Sequence, residues 1–407
     1  MSRRVVVTGT GVLSPVGNDR RSMHEALLAG HCGIVAMPQW NAITALRCRL
    51  GAPVDFDGSA VLKRRALRSM GRTAQLGVHA TALAIADARL EGDALRDGRT
   101  GIAYGSATGS PDALLEFVQT VANNDASTLK ATSYLRAMSH TAAVNMGVHF
   151  GVTGRIYTTS SACTAASQAL GFAFEAIRSG AQDRMLAGGC DELTAAHCAV
   201  FDALLATSAS NDTPQQALRP FDAQRTGLVL GEGAGTLVLE ALETAQRRGA
   251  PILAEIIGFA TNSDGVHLTA PNEATQAEAL AAALRDADIT AEAIGYVSAH
   301  GTGTATGDVS ESRATAAVLG SVPISSIKGH MGHTLGACGA LEAVATIEMM
   351  REGTFAATRN LAQVEPECAE LDYLSGGPRA LDVCYAMTNN FAFGGINTAI
   401  VLKRWDD

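Results

Sequence analysis

Charge is scarce in this chain. Only 17% of its 407 residues are Asp, Glu, Lys or Arg, against roughly 25% in ordinary soluble domains. With 47% hydrophobic residues alongside, that scarcity excludes intrinsic disorder and implies a large, well-covered core. The charges that are present sum to −9 with the signs interleaved, so the basic footprint of a nucleic-acid binder is missing. Low-complexity segments and Pro-rich linkers are also missing, and the domains must pack closely. No CxxC pair occurs among the cysteines at 32, 48, 163, 190, 198, 338, 368 and 384. That scatter fits reduced thiols in a cytoplasm better than a disulfide frame or a zinc site. A secretory signal is not expected, because Val5-Val6-Val7-Thr8-Gly9 reads as a strand and turn. Nor is a membrane span: the long uncharged run from Ile156 to Phe174 carries Thr158, Thr159, Ser160, Ser161, Thr164 and Ser167.

What the chain does have is alternation. Helical composition is expected over 74–89, 163–178, 275–286, 309–319 and 337–351, and strands over 184–187, 228–240, 294–299 and 323–327. Strands alternating with helices indicate an α/β fold with largely parallel, buried sheets. The pattern also echoes itself. Arg4-Val5-Val6-Val7-Thr8-Gly9 opens one part as strand then glycine, and Ile252 to Gly258 opens another. Arg155 to Thr159 leads through Ser160-Ser161-Ala162 to Cys163 and a helix closed by Gly180, a C′ glycine. Pro323 to Ile327 leads through Lys328-Gly329-His330-Met331-Gly332-His333 to a helix starting near Ala337. A duplicated unit would bring the cysteine of one loop to the histidines of the other across a pseudo-two-fold axis.

Cys163 sits where a strand gives way to a helix, among small residues. Backbone N–H groups at a helix start favour an anion, so a thiol there is expected to be partly thiolate and nucleophilic. The competing reading is an inert, buried cysteine. His300 ends a strand and enters Gly301-Thr302-Gly303-Thr304-Ala305-Thr306-Gly307-Asp308, at the strand end where α/β folds place ligand groups. This loop carries neither GxxxxGK nor GxGxxG, and a structural histidine fits as well as a catalytic one. Asp308 is expected to cap the next helix, with Glu311 at N3 as in a capping box. His330 and His333 have no neighbouring carboxylate or thiolate to complete a ligand set, so no metal is expected. Lys328 is either a solvated loop lysine or a charge turned toward a site. Asn389 to Asn397 reads as strand–loop–strand, whose paired glycines either admit an oxyanion to backbone N–H groups or make a tight turn.

Together these segments resemble one family, the elongating β-ketoacyl-acyl-carrier-protein synthases of the thiolase superfamily. The resemblance covers nearly the whole chain. It runs from Val5 to Gly17 through SACT (161–164), RPFD (219–222), LGEGAG (230–235), AHGTGT (299–304), Lys328 to Ala337, and NFAFGGIN (390–397). It implies a five-layered αβαβα fold of two thiolase-like halves, residues 1–250 carrying the nucleophile and 251–407 the histidine pair, and a dimer. Cys163 falls on the family's nucleophile, His300 and His333 on its histidines, and Lys328 on its active-site lysine, with Glu311 close by and Asp308 in support. His330 departs from the motif and is left a supporting or structural place. Phe393 falls on the mobile phenylalanine that guards the cysteine, and its N–H and that of Cys163 would form the oxyanion hole. Ala392 and Ile396 depart from the commoner Gly and Thr of that loop. Thr302 and Thr304 match threonines that hydrogen-bond the phosphopantetheine arm.

The implied activity is acyl transfer from a carrier-protein thioester to Cys163, then decarboxylative Claisen condensation with malonyl carrier protein in fatty-acid elongation. No dissociable cofactor is implied, since the phosphopantetheine arrives on the acyl carrier protein. A docking patch for that partner is expected on 63–72, where five cations lie with no acid between Asp57 and Asp87. Arg65, Arg68 and Arg72, spaced i, i+3, i+7, would share one helical face; the alternative is an ordinary solvated face. Thr108 falls where related synthases often carry an isoleucine that limits the acyl tunnel, which implies a longer or more polar chain. Otherwise its hydroxyl bonds neighbouring backbone. Two further readings are a type II polyketide or aryl-polyene ketosynthase working with a chain-length-factor homologue, and a non-catalytic chain-length-factor subunit. The last characteristically lacks the nucleophile, which the intact Cys163, His300 and His333 set contradicts. An initiating synthase would present Cys-His-Asn.

Overall fold

The computed structural model describes residues 2–406. Val5-Val6-Val7 opens strand β1 (Val5–Leu13), which is buried at every position. The strand does not turn at Gly9, as its sequence suggested. It runs on because Gly9 and Gly11 let helix α1 (Arg72–Asp87) lie backbone to backbone against it. A Cβ at Gly11 would stand 1.9 Å from the Ala80 carbonyl oxygen.

Ten further strands complete its sheet. They are β2 (Thr100–Gly105), β3 (Ile156–Thr159), β4 (Arg184–Asp191), β5 (Gly233–Ala241) and β6 (Ala254–Ser263). After them come β7 (Ile294–Ser298), β8 (Pro323–Ser325), β9 (Asp372–Tyr373), β10 (Tyr385–Ala392) and β11 (Ile396–Arg404). Their hydrogen-bonded order is β9-β8-β7-β10-β11-β6-β1-β5-β4-β2-β3. That order contains a repeat. From β1 the first half runs β1-β5-β4-β2-β3, and from β6 the second runs β6-β11-β10-β7-β8, the same permutation. The senses match too: two antiparallel pairings then two parallel ones in each half. Edge to edge, the two half-sheets meet where Val5 to Val7 pair with Ile256 to Ala254.

Five helices finish the layers besides α1: α2 (Thr141–Phe150), α3 (Ala165–Arg178), α5 (Glu273–Ala287), α6 (Ala305–Leu319) and α7 (Cys338–Glu352), with α4 (Ala195–Ala203) at the rim. Leu76 and Met146 of α1 and α2 pack on the outer face of the first half-sheet. Leu280 and Val309 of α5 and α6 pack on that of the second. Between the half-sheets lie α3 and α7, contributing Leu170, Phe174, Leu341 and Ile347 to one core with both. This is the expected five-layered αβαβα arrangement. Among the described residues no helix is long and apolar enough to cross a membrane.

The duplication positions the chemistry. After β3, Ala162 takes φ +49° in a single 3-10 turn (Ala162–Thr164) and delivers Cys163 to the head of α3. After β8, Leu335 takes φ +53° in the matching turn (Leu335–Ala337) at the head of α7. A left-handed alanine or leucine costs about 1–2 kcal/mol, so both turns are held by their surroundings.

Candidate active site

Cys163, His300 and His333 meet in one cavity of about 260 Å³. The Nε2 of His333 lies 3.1 Å from Cys163 Sγ. On the other side of its ring, Nδ1 accepts the Leu335 backbone N–H at 3.0 Å, so the single proton of the neutral imidazole sits on Nε2. His300 is fixed the same way: its Nδ1 faces the Lys328 ammonium and the Asn390 amide NH₂, each at 3.2 Å. The two rings stand perpendicular with centroids 5.3 Å apart. Burial, then Lys328 and His333, push His300 well below the ordinary histidine pKa. Burial and Lys328 bring His333 to about 3. Both rings are therefore neutral Nε2–H donors aimed into the cavity. The three donor atoms lie within 4.8 Å of one another, a spacing a metal could use. With both Nδ1 atoms occupied by N–H donors, however, the rings offer protons rather than lone pairs.

The expectation of a partly ionised Cys163 is corrected. Burial outweighs the Lys328 charge and the Phe393 and Cys163 backbone N–H groups that favour thiolate, and the pKa rises to about 11. Cys163 rests as a thiol.

Lys328 is turned inward and buried, forming an ion pair with Glu342 on α7. Burial works against the ammonium, but Glu342 and then Cys338 hold its pKa above the ordinary lysine value. Glu342, not singled out in the sequence, is its direct partner, and Glu311 stands near enough to add to the same effect. The Glu311 carboxylate itself accepts the backbone N–H groups of His300 and Gly301 and the Asn389 side-chain amide, each at 2.7 Å. Asp308 does not cap the helix either, because α6 begins at Ala305 with Thr304 at the N-cap. Buried in the first turn, Asp308 accepts N–H groups from Phe221, Thr302 and Gly303 and so ties the His300 loop to 219–222. His330 faces the carbonyl oxygens of His31 and Ala357, joining two loops away from the cavity.

Phe393 lines the cavity mouth, its ring stacked 5.5 Å from that of Phe201 on α4. Thr302 and Thr304 line the same cavity, their hydroxyls 2.9 Å apart. Thr108 does not line it. Its hydroxyl bonds His197 Nε2 at 2.8 Å rather than neighbouring backbone. The cationic segment is not one helix: Arg64–Leu67 is a short turn, and α1 begins only at Arg72. Arg72 is withdrawn from docking, since its guanidinium is committed to Glu232 and to the Val54 and Phe56 carbonyls. Arg65 and Arg68 are exposed and pair with no acid among the described residues.

Known proteins share this arrangement across the whole chain. Residues 2–245 match the β-ketoacyl synthase N-terminal domain and residues 253–362 its C-terminal domain. The 3-oxoacyl-[acyl-carrier-protein] synthase 2 of Synechocystis sp. is 37% identical over 413 residues, covering 99% of this chain and 98% of that protein. A crystal structure of a β-ketoacyl synthase from Burkholderia phymatum STM815 is 50% identical with TM-score 0.97, covering 99% of this chain and 100% of that one. A type II polyketide ketosynthase in complex with its acyl-carrier protein (AntDE:AntF) is 30% identical with TM-score 0.90, each chain covered in full. Fatty-acid and polyketide enzymes thus match alike from end to end, and what they share is the condensing chemistry of one cysteine and two histidines. This chain belongs to the β-ketoacyl synthase family and is an acyltransferase that forms carbon–carbon bonds.

Proposed function

We propose that this enzyme extends an acyl chain on acyl carrier protein by two carbons in the cytoplasm, in fatty-acid elongation. The observation that carries the reading is the pair of neutral rings that each present an Nε2–H to the space above Cys163. Cys163 accepts the acyl group, and the carrier thiol leaves with the proton. Malonyl carrier protein then enters, its pantetheine arm along Thr302 and Thr304. His300 and His333 donate to its thioester carbonyl, so the electrons freed as CO₂ departs rest on a hydrogen-bonded enolate. The enolate carbon attacks the acyl-Cys163 carbonyl, whose oxyanion lies against the N–H groups of Cys163 and Phe393. Collapse releases the Cys163 sulfur and the β-ketoacyl carrier protein.

The free pair Arg65 and Arg68 is the docking site we assign to the acidic carrier protein. Strand β3 ends the sheet with its outer edge unpaired, which suits pairing with a second copy of this chain or with a chain-length-factor homologue. The division of labour follows the repeat, the nucleophile in 1–250 and the histidines in 251–407. The specialised polyketide-type reading is the alternative, because the chain matches a type II polyketide ketosynthase over as much of its length as it matches the fatty-acid enzymes. Intact-protein mass spectrometry of Cys163 loading decides between them. Loading by saturated medium-chain acyl carrier proteins, without a partner subunit, supports elongation. Loading only of oxidised or unsaturated chains, or only with a partner, supports the second reading.

A further inference from the structure

Two consecutive asparagines on β10 grip His300 from different elements. Asn389 reaches Glu311 on α6, which holds the His300 backbone. Asn390 reaches α7, and its amide nitrogen lies 2.6 Å from Glu342 Oε2 and 3.2 Å from His300 Nδ1. Glu342 bonds Lys328 through its other oxygen, and Lys328 also faces His300 Nδ1. His300, Lys328, Glu342 and Asn390 therefore close a ring of hydrogen bonds inside the protein.

The orientation of the Asn390 amide is forced. Turned over, its oxygen would face a carboxylate oxygen and an imidazole lone pair at these distances. In the orientation adopted, Oδ1 is buried with no hydrogen-bond partner. It fits only because residue 339 is glycine, since a Cβ there would stand 2.6 Å from it. An unpaired buried acceptor is retained here for what the nitrogen does.

A carboxylate beside a histidine Nδ1 ordinarily accepts its proton and turns the ring into a base, with a lone pair on Nε2. Here the carboxylate is Glu342, and both its oxygens are occupied by donors. We propose that Asn390 is a positioning residue: by taking the second oxygen of Glu342 and donating to His300 Nδ1, it keeps His300 an Nε2–H donor and prevents it from becoming a base. The inference rests on the reading above that His300 donates to the malonyl thioester. Lys328, Glu342, His333, Cys338 (its Sγ 3.7 Å from the Asn390 amide nitrogen) and, across the cavity, Cys163 are the titratable groups around the ring, and Glu311 holds its backbone.

Asn390→Asp tests this because it reverses the polarity of one atom with little change of shape. The aspartate would accept Nδ1–H from a neutral His300, leaving a lone pair on Nε2. At pH 8, malonyl-carrier-protein decarboxylation is expected to fall on the order of 100-fold, the usual effect of losing one such donor. Toward pH 6 it recovers, because the introduced carboxylate raises the pKa of His300 and the imidazolium it then forms again carries Nε2–H. Asn390→Ser, which keeps one donor, loses much less. Acyl loading of Cys163, which does not use His300, reports that the variants fold. His300→Ala in the same assay separates the two claims. If it loses decarboxylation while Asn390→Asp stays within threefold of wild type at pH 8, or falls without recovery at pH 6, the role given to Asn390 is wrong. If His300→Ala itself keeps decarboxylation, the reading of His300 as a donor fails first and takes this one with it.

Discussion

The two halves of the molecule use one strand permutation and one left-handed turn to different ends. In the first half the turn puts a sulfur at a helix head; in the second the residue matching Cys163 in the 3-10 turn is Gly336, and the chemistry shifts to His333 just upstream. The lesson lies in what each turn is tied to. Gly336 N–H donates to Asp191 at 2.7 Å, and Asp191 also accepts from Ala107 and Ser106, so the silent turn is anchored in the opposite half. A Cβ at 336 would stand 2.6 Å from that carboxylate. One copy of the turn is kept for reactivity and the other for registration.

The comparison breaks most visibly at the reactive groups. Cys163→Gln should abolish condensation yet keep malonyl decarboxylation, because only the second half is needed for that step and a neutral amide resembles the acylated state. Adduct mapping after acyl-carrier thioester treatment should find label at Cys163 and not at Cys190, Cys198 or Cys338. His333→Ala should lower condensation by about 10²–10³-fold with loading retained. His330→Ala should do far less, and equal losses would show that the doubled Gly-His is misassigned.

The turns themselves should differ in stability. Leu335 is 4% exposed and packs among Leu230, Cys198 and Leu50. Leu335→Gly should therefore cost about 2–5 kcal/mol in urea unfolding, despite relieving the backbone. Ala162→Gly removes one methyl and the same strain and should stay within about 1 kcal/mol of wild type. Matching losses would mean that packing does not distinguish the turns.

Acid should separate the halves by sign. His333 titrates at about 3 in the fold and near 6.5 unfolded. Between those values the unfolded chain binds more protons, so this residue makes stability rise with pH. Burial raises Asp191 to about 6, against about 3.9 unfolded, so between pH 4 and 6 it makes stability fall with pH. Urea midpoints across that window should steepen in Asp191→Asn and flatten in His333→Asn, each by at most about 1.4 kcal/mol per pH unit. The smallest effect belongs to the surface. Arg65→Glu with Arg68→Glu should raise KM for acyl carrier protein several-fold at low salt and leave pantetheine-thioester mimics unaffected.

What was legible in the sequence was what lies in short motifs at strand ends: both turns, Cys163, His300, His333, and the alternation that fixes the layers. Glu342 was not, because it lies in the middle of a helix, where a lone acid in an apolar run is easily taken for an exposed position. Its actual signal is that α7 is buried at every residue from Cys338 to Met350, so an acid there must be paired. Asn390 was hidden by its strand, although two adjacent asparagines in a β segment are already unusual. The Cys163 thiol was misjudged because placement at a helix head is local and desolvation is not. Arg72 and Asp308 failed for a shared reason: helices begin where tertiary contacts let them, and the charges nearest those starts found buried partners instead of solvent or caps.

The sandwiched pair α3 and α7 has a consequence for the history and engineering of the chain. Neither half can be a soluble protein alone, because each would expose the flank of its central helix and the inner face of its sheet. An ancestor with a single unit would have had to exist as a self-paired molecule, with two identical turns facing each other across its axis. Joined in one chain, the two turns need not be alike: one carries Cys163, and the other carries Gly336 just after His333. By the same logic, a gene split between Arg248 and Leu253 would yield two polypeptides that reach solution only when made together.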